Sequence, residues 1–459
     1  MRGTSDTVTD RHSRTRRAVL ATLGSVAATP VAGCTSDPET ATDTEPDSLQ
    51  IPETTHTRFG SERSTSRDSP TCAFESVEPE RGSGTATLWV DRTPAELQLL
   101  AGTKAIFESR YEPTLAYDDV PGGTFQAKLQ SAVPAGEGPH LFEWAHDLAG
   151  SYWESGLLSD QREALRVDPC QYVDTAWDAA NWNSHTIGLP VAAETVALLY
   201  NKEYVETPPE TLGEMEATMA AYHDPENGQF GLGYTINPYF VSGFAQAYGG
   251  EIYDTENDEL GLTDDALIKG LSVVYDDLRP YMPRDPARST QAAVFTQGNA
   301  PFTIDGPWQL PGYDSTDFEV GVTTLPSLPE GGQPRPYVGV ALLYFTSEMA
   351  EQTPESVAAR EFAEWYTTNP RRILNLANNG GFVPVHDQIA GHPELPSRVR
   401  GFTQQVAAGY PMPASPRMAQ VWSPFRDALV RAFNADSPDL DGLMASAERQ
   451  IRANWAESA

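Results

Sequence analysis

An indole and a carboxylate, Trp144 and Asp147, close a short apolar run, Leu141-Phe142, within the stretch GPHLFEWAHDLAGSYWESGLL from Gly138 to Leu158. The flat ring covers the apolar face of a pyranose, and the carboxylate accepts hydrogen bonds from its hydroxyls. A strand delivering both to one loop therefore suits a sugar. His146 lies between them and is read as structural. The eight histidines are scattered and no CxxC occurs, so no metal and no cofactor is expected. A second carboxylate, Glu194, interrupts the apolar run TIGLPVAAETVALLY, Thr186 to Tyr200. An unpaired carboxylate in a buried strand costs several kcal/mol or takes up a proton. Two readings stay open: the strand crosses a cleft where Glu194 faces a polar ligand, or Glu194 pairs with an arginine of the fold. Asp147 and Glu194 together also invite glycoside hydrolysis. No nucleophile elbow, zinc motif or Walker loop accompanies them, so the expectation is a binding protein and not an enzyme.

The elements that must position these groups follow from hydropathy periodicity. Ala86 to Val90 reads as a strand and Ala95 to Ser109 as an amphipathic helix. Thr114 to Val120 is a second strand, Pro121-Gly122-Gly123 a turn, Phe125 to Val133 a helix, and a third strand ends at Trp144. This alternation predicts an α/β fold with a largely parallel sheet, whose ligands sit beyond the carboxyl ends of the strands. Thr186 to Tyr200 reads as one strand, Thr263 to Leu278 as a helix capped by Thr263, and FTIDGPW as a strand that breaks at Gly306-Pro307 and presents Trp308 on a turn. Val320 to Leu325 and Tyr337 to Phe345 are strands, and the C-terminal third is helical.

Length and charge bound the rest. The 459 residues exceed one ordinary core, so two domains are expected. The formal net charge of -33 excludes nucleic acid and anionic lipid as partners. It reads as a solvated surface adapted to high salt, and so as the mark of a halophile. Arg16-Arg17 precede the apolar run Ala18 to Thr29, followed by Val31-Ala32-Gly33-Cys34. Such a run is short of the roughly 20 apolar residues that span a bilayer. It reads as a twin-arginine export signal, residues 1–34, ending at a lipobox whose Cys34 is lipidated. Residues 35–82, rich in Thr, Ser, Asp, Glu and Pro, read as a disordered acidic tether. Cys72 and Cys170 remain, either free or paired with each other.

Beyond Ala86 the chain resembles the maltose-binding proteins, the soluble receptors of ABC sugar importers. The resemblance rests on ordered motifs: Trp144 to Asp147 with Gly156-Leu157-Leu158; Leu189-Pro190 through Tyr200-Asn201-Lys202; Asn237-Pro238-Tyr239-Phe240; Ile304-Asp305-Gly306-Pro307-Trp308; Gly321 to Pro326 with Val338-Gly339-Val340; and Met412-Pro413 with Trp422 to Arg426. It implies a two-lobe α/β fold of the periplasmic-binding-protein type (type II, maltose-binding-like). One lobe would comprise residues 83–192 and 343–390, the other 193–342 and 391–459. The chain would cross between them near 191–196, 338–343 and 385–394. It implies a cleft lined by Trp144, Asp147, Glu194, Tyr239, Phe240, Trp308, Met412, Trp422 and Arg426. The aromatics would stack on sugar faces, the two acids would accept from hydroxyls, and Arg426 would donate. Trp153, Trp177, Trp182 and Trp365 are read as structural or rim residues.

The sequence departs from the family pattern at Leu148, where an arginine can stand, at Asn237, where an acid can precede Pro-Tyr-Phe, and at Ser423, where an aromatic can follow the tryptophan. Asp91 and Arg92 are ligand candidates offset from the family's polar pair. The expected ligand is a di- or oligosaccharide, maltose-like, its identity open. A glycerol phosphodiester is the alternative, but a phosphate recruits several arginines or a helix N-terminus, and only Arg426 is so placed. The resemblance implies a monomer on the extracellular face of the membrane, held by its lipid alone, that hands ligand to permease subunits.

Overall fold

The computed structural model describes residues 76–80 and 83–458. The twin arginines, Cys34, Cys72 and most of the expected tether lie outside the described residues. The last tether residues do not hang free. Val77 N–H donates to Thr368 Oγ1 at 2.9 Å, Glu80 N–H to Glu361 Oε1 at 3.2 Å, and Arg166 Nη1 to the Glu78 carbonyl at 3.1 Å. Cys170 is disulfide-bonded; the other two cysteines are outside the described residues.

Two sheets organise the body. The first holds β1 (Thr85–Val90), β2 (Thr114–Asp119), β3 (Leu141–Ala145) and β4 (Gly188–Glu194), with two later strands completing it at Tyr337–Phe345 and Tyr410–Pro411. The second holds β5 (Ala197–Asn201), β6 (Leu232–Tyr234), β7 (Phe302–Asp305) and β8 (Val320–Thr323). The two later strands of the first sheet are β9 (Tyr337–Phe345) and β10 (Tyr410–Pro411). β1 pairs in parallel with β2 and β3, as expected, whereas β9 runs antiparallel to both β3 and β4. The sheet is therefore mixed. β9 spans the boundary expected between residues 342 and 343.

Three readings of local structure change. The run from Thr186 to Tyr200 is not one strand: β4 ends at Glu194, β5 begins at Ala197, and the two belong to different sheets. Thr195 Oγ1 donates to the Tyr337 carbonyl at 2.9 Å, which turns the chain from one sheet to the other. The carboxylate that looked out of place in a strand marks the point where the strand stops. Pro121-Gly122-Gly123 is not a separate turn, because α2 starts at Gly122 (Gly122–Ala132). A Cβ at Gly122 would meet the Asp91 carboxylate and come within 3.4 Å of the Trp144 ring, so glycine serves close approach there. Thr263 does not cap its helix, which runs Asp265–Ser272; its hydroxyl donates to Glu448 Oε2 at 2.9 Å instead.

The helix between β1 and β2, α1 (Pro94–Arg110), starts at a full capping box: Thr93 N–H donates to Glu96 Oε2 at 2.8 Å, and Glu96 N–H to Thr93 Oγ1. Its Leu100 and Phe107 are fully buried against Ala86, Leu88 and Val90 of β1 and Phe362 and Trp365 beyond. Around the second sheet Leu198, Leu232, Ile304, Phe244 and Phe425 form a separate core. Burying each such side chain contributes about 1.5–3 kcal/mol, which fixes the strand ends where the polar residues gather. Among the described residues no helix is long and apolar enough to cross a membrane.

Candidate functional site

The site is assembled where the chain leaves the two sheets. After β3 the backbone turns at His146–Leu148 into α3 (Ala149–Glu154). His146 bolts this turn in place. Its Nδ1 accepts from Val340 N–H at 3.0 Å, and its Nε2 lies 2.8 Å from the Met412 carbonyl, to which it donates. Burial pushes its pKa down to about 4, against the raising effect of these two bonds, so the ring is neutral. It is structural, as expected. Asp147 is thereby held rigidly. Its residue keeps partial exposure, yet its carboxyl is enclosed by protein, and that desolvation pushes its pKa up to about 7.

Glu194 stands opposite Gly339 in the β4–β9 register. A Cβ at Gly339 would sit 3.3 Å from Met412 Cε and 3.7 Å from Glu194 Cβ, so the bare backbone lets the acid and the thioether meet. Glu194 has no ion-pair partner among the described residues, so it is not paired with an arginine of the fold there. Desolvation, with Glu143, Glu96 and Asp147 adding negative charge, pushes its pKa up to about 8.

From the other sheet comes an aromatic group. Asn237 caps the helix α4 (Pro238–Ala245), its Oδ1 accepting from Phe240 N–H at 2.9 Å. This sets the Tyr239 and Phe240 rings each 6.2 Å from Trp308. The Tyr239 phenol faces both acids, whose charges push its pKa upward beyond the effect of burial. Trp308 lies on the turn after β7, and a Cβ at Gly306 would run into its ring. Met412 is 5% exposed and fills the floor between Gly339 and the same core. Trp422 opens α5 (Trp422–Asn434), 5.9 Å from Tyr337, with its indole N–H toward Asp147.

The structure thus brings together Asp147, Glu194, Tyr239, Phe240, Trp308, Met412 and Trp422. Trp144 borders the group on the first-sheet side, tilted 31° against Phe125 at 4.8 Å and tied to Asp147 through the His146 turn. Arg426 is exposed, its nearest polar partners Ser423 Oγ at 3.3 Å and Asp427 at 3.9 Å. Arg92 is buried behind the site, ion-paired with Glu143 and donating to Tyr366 Oη at 2.8 Å, while Asp91 lies exposed beside Gly122. Four contributors had no site role assigned from the sequence: Gly122, read only as part of a turn, Gly339, read only as part of a strand motif, Arg288, and Tyr152, whose buried hydroxyl lies near Asp147. Glycines opposite a named carboxylate or indole are the one signal that could have found two of them.

Among the described residues the Tyr239 hydroxyl and the Trp308 and Trp422 indole N–H groups are buried without a hydrogen-bond partner. Unmet donors beside two carboxyl groups lacking a cation, walled by rings, match an uncharged ligand rich in hydroxyls. No group of His, Cys, Asp and Glu among the described residues could hold a metal ion.

Comparison with known proteins shows the family and the fold. Residues 103–400 match the family described as bacterial extracellular solute-binding protein. The maltotriose-binding protein of Pyrococcus abyssi is 35% identical over 390 residues, 82% of this chain and 84% of the relative. The galactooligosaccharide-binding protein of Bacillus subtilis is 24% identical over 371 residues, 76% and 86% of the two chains. In fold, the chain is similar to the Thermus thermophilus maltotriose binding protein bound with maltotriose, with a TM-score of 0.73 at 24% identity, covering 81% of this chain and 100% of that one. The chain has the two-lobe α/β architecture of the maltose-binding type and belongs to the bacterial extracellular solute-binding proteins.

Proposed function

We propose that this protein is the sugar receptor of an ABC importer, capturing a malto-oligosaccharide of about maltotriose length and presenting it to the permease. One observation carries the reading: two cation-free carboxyl groups, Asp147 and Glu194, gather with the rings of Tyr239, Trp308 and Trp422, and the Tyr239 hydroxyl and Trp422 indole N–H are buried without a hydrogen-bond partner. The names of the relatives support the class of ligand. Ligand touching both walls favours the closed form, because only differential contact shifts such an equilibrium. The lobes, 83–192 with 343–390 and 193–342 with 391–459, would close about the connection after Glu194. Arg426 would reach the ligand from the rim.

The twin arginines and Cys34 support export followed by lipid anchoring on the outer face, as a monomer, with the acidic surface suited to high salt. The protein is read as a non-enzyme, in keeping with relatives named for binding. Thermal-shift and calorimetric titration at high salt against maltose, maltotriose, maltotetraose and a galactooligosaccharide is the test. Maltotriose should raise the melting temperature by mass action. A flat response to every sugar would sink the reading, and release of reducing ends would replace it with hydrolysis.

A further inference from the structure

Behind the Trp308 turn lies an ionic arrangement that the sugar site does not itself use. Asp305, the last residue of β7, is buried. Its Oδ1 accepts from Gly306 N–H at 2.8 Å and its Oδ2 from Tyr313 Oη at 3.1 Å. Arg288 Nη2 stands 3.6 Å from Oδ1, and the same guanidinium lies 5.8 Å from the Phe240 ring and 6.0 Å from the Trp308 ring. The Trp308 indole N–H points to the same carboxylate without reaching hydrogen-bond distance. Gly306 has no side chain, and only thus can the Trp308 ring lie over it. Of the neighbours of this carboxylate, Gly306 opens the turn that carries the ring, Tyr313 ends the short helix that follows that turn, and Arg288 is a cation that touches the ring.

We infer that Asp305 is the positioning residue of the sugar site: bound to Gly306 and Tyr313 and paired with Arg288, it fixes the angle at which Trp308 and Phe240 meet the ligand. Asp305 touches no sugar. It acts by removing the freedom of a turn whose ring must be in place before binding, so that ordering the ring costs nothing at the moment of capture. Arg288 contributes from the other side, as a cation over both ring faces.

The inference rests on the sugar-binding reading, so its test carries two readouts. The protein is labelled with 5-fluorotryptophan, the Trp308 fluorine resonance is assigned by its loss in Trp308→Phe, and maltotriose is titrated by calorimetry. Hydrogen bonds to charged groups have strengths that translate into about 10- to 100-fold in affinity. Asp305→Ala should weaken maltotriose binding within that range and broaden or shift the Trp308 resonance. Asp305→Asn, which keeps an acceptor for Gly306, should restore part of both. Arg288→Met, at a half-exposed position that does not endanger folding, should cost about threefold. Wild-type affinity together with an unmoved fluorine resonance in Asp305→Asn and Arg288→Met would overturn the inference. Should the wild-type protein ignore maltotriose, the functional reading fails, and the fluorine resonance alone still decides the role of Asp305.

Discussion

Trp144, inside β3 of the first sheet, and Trp308, on the turn after β7 of the second, each lie close in the chain to a carboxylate that pairs with an arginine. The pairs are not equivalent. Behind Trp144, Arg92 and Glu143 have side chains only 3% and 11% exposed, and Arg92 is further held by Tyr366 Oη and by the Phe382 ring at 5.3 Å. Behind Trp308, Asp305 is 4% exposed but Arg288 is 47% exposed and 3.6 Å away. A pair sealed in the core is a strut whose charges must be matched for the lobe to fold. A pair open on one side leaves the fold nearly indifferent and acts on the ring it touches. An arginine–carboxylate pair thus serves stability beside the first sheet and ligand geometry beside the second, and the difference lies in how much water reaches the guanidinium.

The sharpest way to break this comparison is Arg92→Met. It leaves the Glu143 carboxylate buried without its partner, and breaking such a pair typically costs about 3–5 kcal/mol. Chemical denaturation should show that loss; a variant as stable as the wild type would mean that Glu143 escapes to water and that the strut does not exist. Next comes Trp308→Ala, which removes a ring enclosed by Tyr239 and Phe240. Affinity for maltotriose should fall by about 2–3 kcal/mol, the range of a central aromatic anchor, while the unfolding midpoint moves far less than for Arg92→Met. Calorimetry on Trp144→Ala, Trp308→Ala and Trp422→Ala together is decisive: unchanged affinity in all three would dissolve the site.

A smaller effect, readable as a sign, comes from pH. Asp147 and Glu194 titrate at about 7 and about 8 in the ligand-free fold, above the ordinary carboxylate range. Between the unfolded and folded pKa values the native state binds more protons than the unfolded chain, so ligand-free stability falls as pH rises and levels off above about 8. Buried His146 and His386, both held neutral down to about 4, act with the opposite sign below their ordinary pKa of 6.5. The clean window is therefore pH 6.5 to 8. Sugar hydroxyls donate to the ionised acids, so affinity should rise across that window and binding should release protons. Melting curves at its two ends, with titrations in buffers of different ionisation enthalpy, measure both trends. Asp147→Asn and Glu194→Gln should each flatten them, and a wild-type melting temperature that climbs with pH would contradict the assignment.

Much of this site was legible because its chemistry is local. Asp147, just past the strand that carries Trp144, and Trp308, after Gly306-Pro307, each sit on a turn that the sequence itself signals. The path of the chain at Glu194 was not legible in the same way: an apolar run gives no sign that it serves two sheets, and the turn depends on Thr195 reaching the carbonyl of Tyr337, 142 residues away. Thr263 misled for a related reason, since a threonine before a helix signals a cap until a distant Glu448 takes its hydroxyl. Arg288 was invisible, because an arginine on a polar helix start acquires a role only when β7 places Asp305 beside it. What escapes the sequence here is the pairing of residues far apart in the chain.

The smallest effect tests how far the site extends. Arg426 follows Trp422 by one helical turn, so the two lie along the same side of α5. The family resemblance gives it the part of a donor to the ligand. Its guanidinium, however, stands in solvent, with Ser423 Oγ at 3.3 Å and Asp427 at 3.9 Å as its neighbours. A long flexible side chain in water must give up rotamer entropy to reach a ligand, which offsets most of the gain from one exposed hydrogen bond. Arg426→Ala should therefore leave stability within about 0.5 kcal/mol of wild type and weaken maltotriose binding by about threefold or less. A larger loss, appearing with longer oligosaccharides but not with maltose, would show that the crevice continues along α5 beyond Trp422. It would also show that an exposed arginine can serve ligand directly while Arg288, on the same lobe, serves a ring.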